Sequence, residues 1–127
     1  MPIKDVVKKI VFKVLEYSLN SASKEQGFVE LKQELEKIIP DLSEQYTSVK
    51  IEGDYFVNKL RSLYAFQIDL AQTAISLLDK EKQENPTLVD IGDSSGAHLK
   101  YITALSGLPG GNIRAVSVNL DPEAVKK

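Results

Sequence analysis

The residues best suited to chemistry lie between Thr87 and Gly96, in the stretch TLVDIGDSSG. A short apolar run closes on the acidic Asp90. A turn rich in Gly and Ser follows and leads at once into the helix-like AHLKYITAL. The order is strand, tight loop, helix N-terminus. It gathers a carboxylate (Asp90), a small-residue loop (Gly92 to Gly96) and free backbone N–H groups at one point. Such a point suits a nucleotide-like ligand. A second strand-like run, IRAVSVNL (Ile113 to Leu120), comes next and leads into the helix start DPEAVKK.

The bland use of each residue stands beside the functional one. Asp90 either caps the loop backbone or meets a cofactor; an acid-x-Gly step at a strand's C-terminus favours the ligand crevice. Ser94 and Ser95 suit a helix cap as well as a ligand contact. Asn119 serves equally as ribose partner or strand terminator. His98, near a helix start, reads as a surface residue rather than a catalytic base. The tyrosines Tyr17, Tyr46, Tyr55, Tyr64 and Tyr101 lie on or near helical stripes, where core or rim packing is the default. Arg61 and Arg114 have no anionic partner legible in the sequence.

Composition narrows the class of protein. The chain has 127 residues, 43% hydrophobic and 27% charged, and a formal net charge of −2. That suits one compact domain, or a helical domain plus a further unit. Lys and Arg do not gather on one segment, so a nucleic-acid footprint is not supported. Cysteine is absent and His98 is the single histidine. Disulfides and thiolate metal sites are thereby excluded, and no metal site is expected. No apolar run approaches the roughly 18 residues of a membrane span. MPIKDVVKKIVFKVL alternates charge with apolar residues, unlike a signal peptide. A cytoplasmic location is the expectation.

Several helical elements must position the loop. Ile3, Val6, Val7, Ile10, Val11, Val14 and Leu15 form the i, i+3, i+4, i+7 stripe of a helix over Ile3 to Leu19, with Pro2 in its first turn. Asn20 to Gly27 reads as a polar break. Phe28, Leu31, Leu35, Ile38 and Ile39 make a second stripe, stopped by Pro40. The Lys and Glu residues of these two helices read as solvated faces. Asp41 to Gly53 is ambiguous. A long helix then opens at Asp54, a plausible N-cap, and runs to about Lys80, a length of about 39 Å. Glu81 to Pro86 reads as a linker. Leu88, Val89 and Ile91 are apolar on both sides of the pleat, as in a strand buried on both faces. Gly107 and Pro109 end the following helix, and Gly110-Gly111-Asn112 is a turn. Ala115, Val116 and Val118 form the second strand. Asp121-Pro122 pairs an N-cap with a first-turn proline.

VDIGDSSG resembles the first motif of class I S-adenosylmethionine-dependent methyltransferases, an acidic residue followed by Gly-x-Gly-x-Gly. VSVNLDPEAV resembles their second strand and the helix after it. The resemblance covers Thr87 to Lys127. It implies S-adenosylmethionine as cofactor, held by Asp90, Gly92, Asp93, Ser94, Ser95, Gly96, Asn119 and Leu120. Asp90 would fix the loop and the cofactor's amino-acid end. Gly92 would let the backbone approach the methionine moiety, and Gly96 would let the helix pack closely on the strand. Ser94 stands where the middle glycine is usual. Asn119 stands where an acidic residue usually grips both ribose hydroxyls, and its amide accepts and donates without charge. The dinucleotide fingerprint G-x-G-x-x-G fits GDSSGA less well.

The fold class expected is α/β: an N-terminal helical subdomain (residues 1–84), then an incomplete Rossmann-like β-α-β unit (residues 85–127). The implied function is the N-terminal portion of a methyltransferase, inactive as a fragment, with the methyl acceptor and catalytic residues unassigned. The alternative is a helical assembly module whose β-α-β tail completes a sheet with another chain. Two parallel strands make a poor sheet alone, so pairing with a second copy through sheet edges is expected.

Overall fold

The structure, a computed structural model, describes residues 2–46, 48–77, 86–92, 95–105 and 113–126. Three helices come first: α1 (Ile3–Glu25), α2 (Val29–Ile38) and α3 (Asp54–Ser76). Strand β1 (Thr87–Ile91), helix α4 (Ala97–Leu105), strand β2 (Arg114–Val118) and the short α5 (Pro122–Val125) follow. The chain is therefore mixed helix and strand. β1 and β2 pair in parallel, from Thr87↔Arg114 to Ile91↔Val118. The expected stop of α4 at Gly107 and Pro109, the turn at residues 110–112 and the linker before Pro86 lie outside the described residues.

Helix α1 runs straight through the expected break at Asn20. The polar residues there are its inward face: Ser23 is buried and its hydroxyl lies 3.2 Å from that of Ser62 on α3. Gly27, at φ 75°, ends the helix. Phe28 N donates to Ser23 O and Gly27 N to Lys24 O, the paired bonds of a Schellman stop. The apolar stripe of α1, by contrast, faces solvent. Ile3 is 82% and Tyr17 77% exposed, and Val7, Ile10 and Val14 between them are exposed too.

Helix α2 stops at Pro40 as its sequence demands, with Ile39 extended at its C-cap. Asp41 then accepts from Ser43 N in a turn, and the described part of residues 41–53 carries no further helix. Asp54 is not the N-cap of α3. Gly53 holds that position, its carbonyl accepting from Phe56 N and Val57 N. Asp54 is the first helical residue, where its charge favours the positive end of the helix dipole.

Among the described residues, all the buried apolar side chains except Ala124 form one cluster. Leu60, Tyr64, Ala65 and Ile68 of α3 meet Leu35 of α2, Leu42, and Ala97, Tyr101 and Ile102 of α4. The cluster thus joins the helical region to α4 without a break. Helix α4 covers one face of the sheet, the side of Leu88. The other face is open: Val89, Ile91 and Val118 are exposed, Ile91 by 80%. The expectation of a strand buried on both faces fails here. The alternation along β1 is that of a half-covered strand, with no helix over its second side among the described residues.

Candidate functional site

The β1–α4 turn begins where the sequence placed it. Gly92 follows β1 with φ 89°, a conformation that costs an L side chain about 1–2 kcal/mol. Its N–H donates to Val118 O at 2.8 Å, tying the turn to the end of β2. A Cβ built on Gly92 would meet no atom within 4 Å, so space is open beside it. Gly96 has φ 71° and stands just before α4, its carbonyl accepting from Lys100 N. Asp93 and Ser94 lie outside the described residues.

The remaining candidates divide. Ser95 donates to Gln45 Oε1 at 2.7 Å, anchoring the turn to the segment after α2. Asn119 Oδ1 accepts from Asp121 N at 2.9 Å, an Asx turn that leads into α5. Asp121 caps α5 by accepting from Glu123 N, and Pro122 fills the first turn, as read from the sequence. Leu120 is wholly exposed beside this turn. Gly92, Asn119 and Leu120 are thereby brought to the same C-terminal end of the two strands.

Asp90 has a different environment. Its carboxylate turns toward α4, where His98 Nδ1 lies 2.9 Å from Oδ2. His98 Nε2 lies 2.8 Å from Gln67 Oε1 on α3, and the ring packs edge-on against Tyr64. Asp90, His98 and Gln67 line a cavity of about 270 Å³ together with Ile68, Leu88 and Ile102. His98 is therefore not the surface residue its position suggested: both ring nitrogens are engaged, and it buckles β1, α3 and α4 together. His98→Ala would leave the Asp90 carboxylate, only 22% exposed, without its donor. The expected loss is about 1–3 kcal/mol of stability, measured by chemical denaturation. A loss under about 0.5 kcal/mol, the scale of an ordinary surface change, would show that solvent replaces the imidazole.

Two cationic residues are more buried than their sequence positions suggested. Arg61 is buried, and its guanidinium donates to Leu35 O, Ile39 O, Pro40 O and Tyr101 Oη at 2.8–3.3 Å. It closes the C-terminus of α2, where orphan carbonyls and the negative dipole end favour a cation. The signal was its spacing, since it falls on the stripe of Val57, Tyr64 and Ile68. Lys32 donates to Asn58 Oδ1 and lies 3.5 Å from Ser23 Oγ. Burial, aided by the Arg61 charge, holds its ammonium below the usual lysine value.

Among the described residues no helix is long and apolar enough to cross a membrane. Compared with known proteins, the chain has no significant match to a family model, a curated protein or a solved structure.

Proposed function

We propose that this chain carries the opening β-α-β of an S-adenosylmethionine-dependent methyl-transfer domain, with the β1–α4 turn as its first cofactor loop. One observation carries the proposal. The Gly92 N–H bond to Val118 O sets the glycine turn beside the end of a parallel neighbour strand. Ligands of open α/β sheets bind outside the carboxyl ends of such strands. The residues present fit that group in part. Gly92 leaves room for a close approach, and Asn119, at the end of β2, is the residue that would meet the ribose. Leu120 offers an exposed apolar surface to a flat base. The cofactor would supply an electrophilic methyl group. This chain's own residues bind and orient it, and the methyl acceptor is left unassigned.

Binding of S-adenosylhomocysteine, followed by calorimetry, tests the proposal. Two strand ends provide few contacts, so the expected dissociation constant is no tighter than about 100 μM, or about −5.5 kcal/mol. Asn119→Asp keeps the turn to Asp121 N and adds charge toward the ribose hydroxyls. It should tighten binding about fivefold, or about 1 kcal/mol, as a charge-assisted bond replaces a neutral one. Unchanged affinity would place the ribose elsewhere.

Assembly is the second function that an observation favours. Ile3, Val7, Ile10, Val14 and Tyr17 recur along α1 in steps of four and three, and all are exposed. That is the spacing of a coiled-coil seam. The open sheet face adds Val89, Ile91 and Val118. Pairing of two copies would cover these surfaces and the strand edges. Light scattering should give about twice the 14.1 kDa chain mass at micromolar concentration. Val7→Lys with Val14→Lys should return it to the monomer mass. A monomer from the unaltered chain would exclude self-pairing.

A further inference from the structure

The Lys and Glu residues of α1 and α2 do not all face water. Three polar helix faces converge on a second cavity, of about 550 Å³, bounded by α1, α2 and α3. That volume lies within the range of small-molecule sites, about 300–1,000 Å³. The lining residues recur at helical spacing on each element. Asn20 and Ser23 come from α1, Lys32 from α2, and Asn58 and Arg61 from α3. Helix seams are ordinarily filled with apolar side chains at these positions. Here they are polar and leave space.

Charge is arranged by depth. Arg61 and Ser23 are buried, and Lys32 and Asn58 are half-buried, so the floor carries two cations. Among the described residues no carboxylate lies within ion-pair distance of Lys32 Nζ or of the Arg61 guanidinium. Arg61 is committed to four oxygens, which leaves Lys32 as the floor cation with capacity for a ligand; the third cation of the lining, Lys24, is exposed. Its ammonium has three donors, of which Asn58 and Ser23 take at most two. Around it, at half-buried or exposed positions, three carboxylates of the lining (Glu16, Glu36 and Asp54) outnumber the single Lys24. A cationic floor under a mainly acidic rim suits a molecule with an acid group at one end and an amine at the other.

We propose that the cavity between α1, α2 and α3 binds a small zwitterion, its acid group on Lys32 and its amine among Glu16, Glu36 and Asp54. A multiply charged anion would meet the rim carboxylates. A simple amine would meet the two floor cations. This site shares no lining residue with the β1–α4 turn, and its occupancy is independent of the cofactor proposal.

Three probes of matched length separate the possibilities on the unaltered full chain: 4-aminobutyrate, butyrate and butylamine. The reporter is the side-chain amide of Asn58, followed by nuclear magnetic resonance. 4-Aminobutyrate should shift it saturably with a dissociation constant of about 1–5 mM, and butyrate should bind at least about fivefold more weakly. Butylamine should leave the Asn58 amide unmoved. Lys32→Met should weaken 4-aminobutyrate at least about tenfold, while Lys32→Arg, which keeps the charge, should stay within about threefold. No saturable shift by about 50 mM 4-aminobutyrate would overturn the proposal, as would equal binding of butyrate or equal binding by Lys32→Met. The comparison of probes needs no variant, so it decides the matter even if Lys32→Met unfolds.

Discussion

Arg61→Ala is expected to cost the fold about 3–5 kcal/mol, a large part of the roughly 5–15 kcal/mol that holds a domain together. The guanidinium serves four acceptors at once, three of them carbonyls at the end of α2. Alanine strands those carbonyls, and each buried acceptor left unmade costs about 1–3 kcal/mol. Some of them are only partly buried and regain water, which holds the total below the simple sum. The cation that favours the negative end of α2 also disappears, and that is worth up to about 2 kcal/mol. Arg61→Lys keeps the charge but lacks the planar fork, so it should recover only part of the loss. Denaturant unfolding measures both. A loss under about 1 kcal/mol for alanine would mean that water reaches the α2 terminus and that Arg61 is no keystone.

Tyr101→Ala should be comparably severe, at about 3–5 kcal/mol, as for other large aromatic truncations in cores. Tyr101 has no exposed surface, and its ring packs edge-on against Tyr64 at 5.3 Å. Its hydroxyl accepts from Arg61 at 3.1 Å. Tyr101→Phe keeps the packing and removes only that acceptor, so its cost should be about 0.5–1.5 kcal/mol. The two residues share one network, so the loss in the Arg61→Ala, Tyr101→Phe double variant should depart from the sum of the single losses. Alkaline pH provides a separate readout. Burial pushes the Tyr101 phenol above its usual value of 10.0, opposed in part by the Arg61 charge. The neutral phenol is therefore favoured by folding. The stability it contributes is full below that value and falls as pH rises through the raised one. Tyr101→Phe should flatten this alkaline loss. An unchanged alkaline profile would assign the loss to other groups.

The parts of this fold that sequence declared best were those fixed by local chemistry. Pro40 ended α2, Asp121-Pro122 started α5, and the apolar runs at Leu88 and Val116 became paired strands, each within a residue or so of its reading. These signals act through the backbone of the residue concerned. The misreadings came from polarity. The stretch Asn20–Glu25 looked like a break because its residues are polar, but helix α1 keeps its bonds and turns Ser23 inward to Ser62. The stripe at Ile3 to Leu15 looked like a core face, yet it is exposed among the described residues. Periodicity reports which residues share a face, and says nothing of what covers that face. At the site, Gly92 and Gly96 were legible as small residues between a strand and a helix, and the structure adds their positive φ. The His98 bridge was not, because its partners, Asp90 on β1 and Gln67 on α3, come from two separate elements. Arg61 and Lys32 were hidden for the same reason: their partners lie on other elements, those of Arg61 at least 21 residues away in sequence.

On the proposed reading, the β1–α4 turn and the end of β2 form one face of a cofactor crevice. Backbone amide shifts, recorded as S-adenosylhomocysteine is added in the millimolar range, test it most directly. Saturable movement of Gly92, Ser95, Gly96, Asn119 and Leu120 is expected, with the amides of α1 and α2 unmoved. No movement of Gly92 and Leu120 by about 5 mM ligand would contradict it.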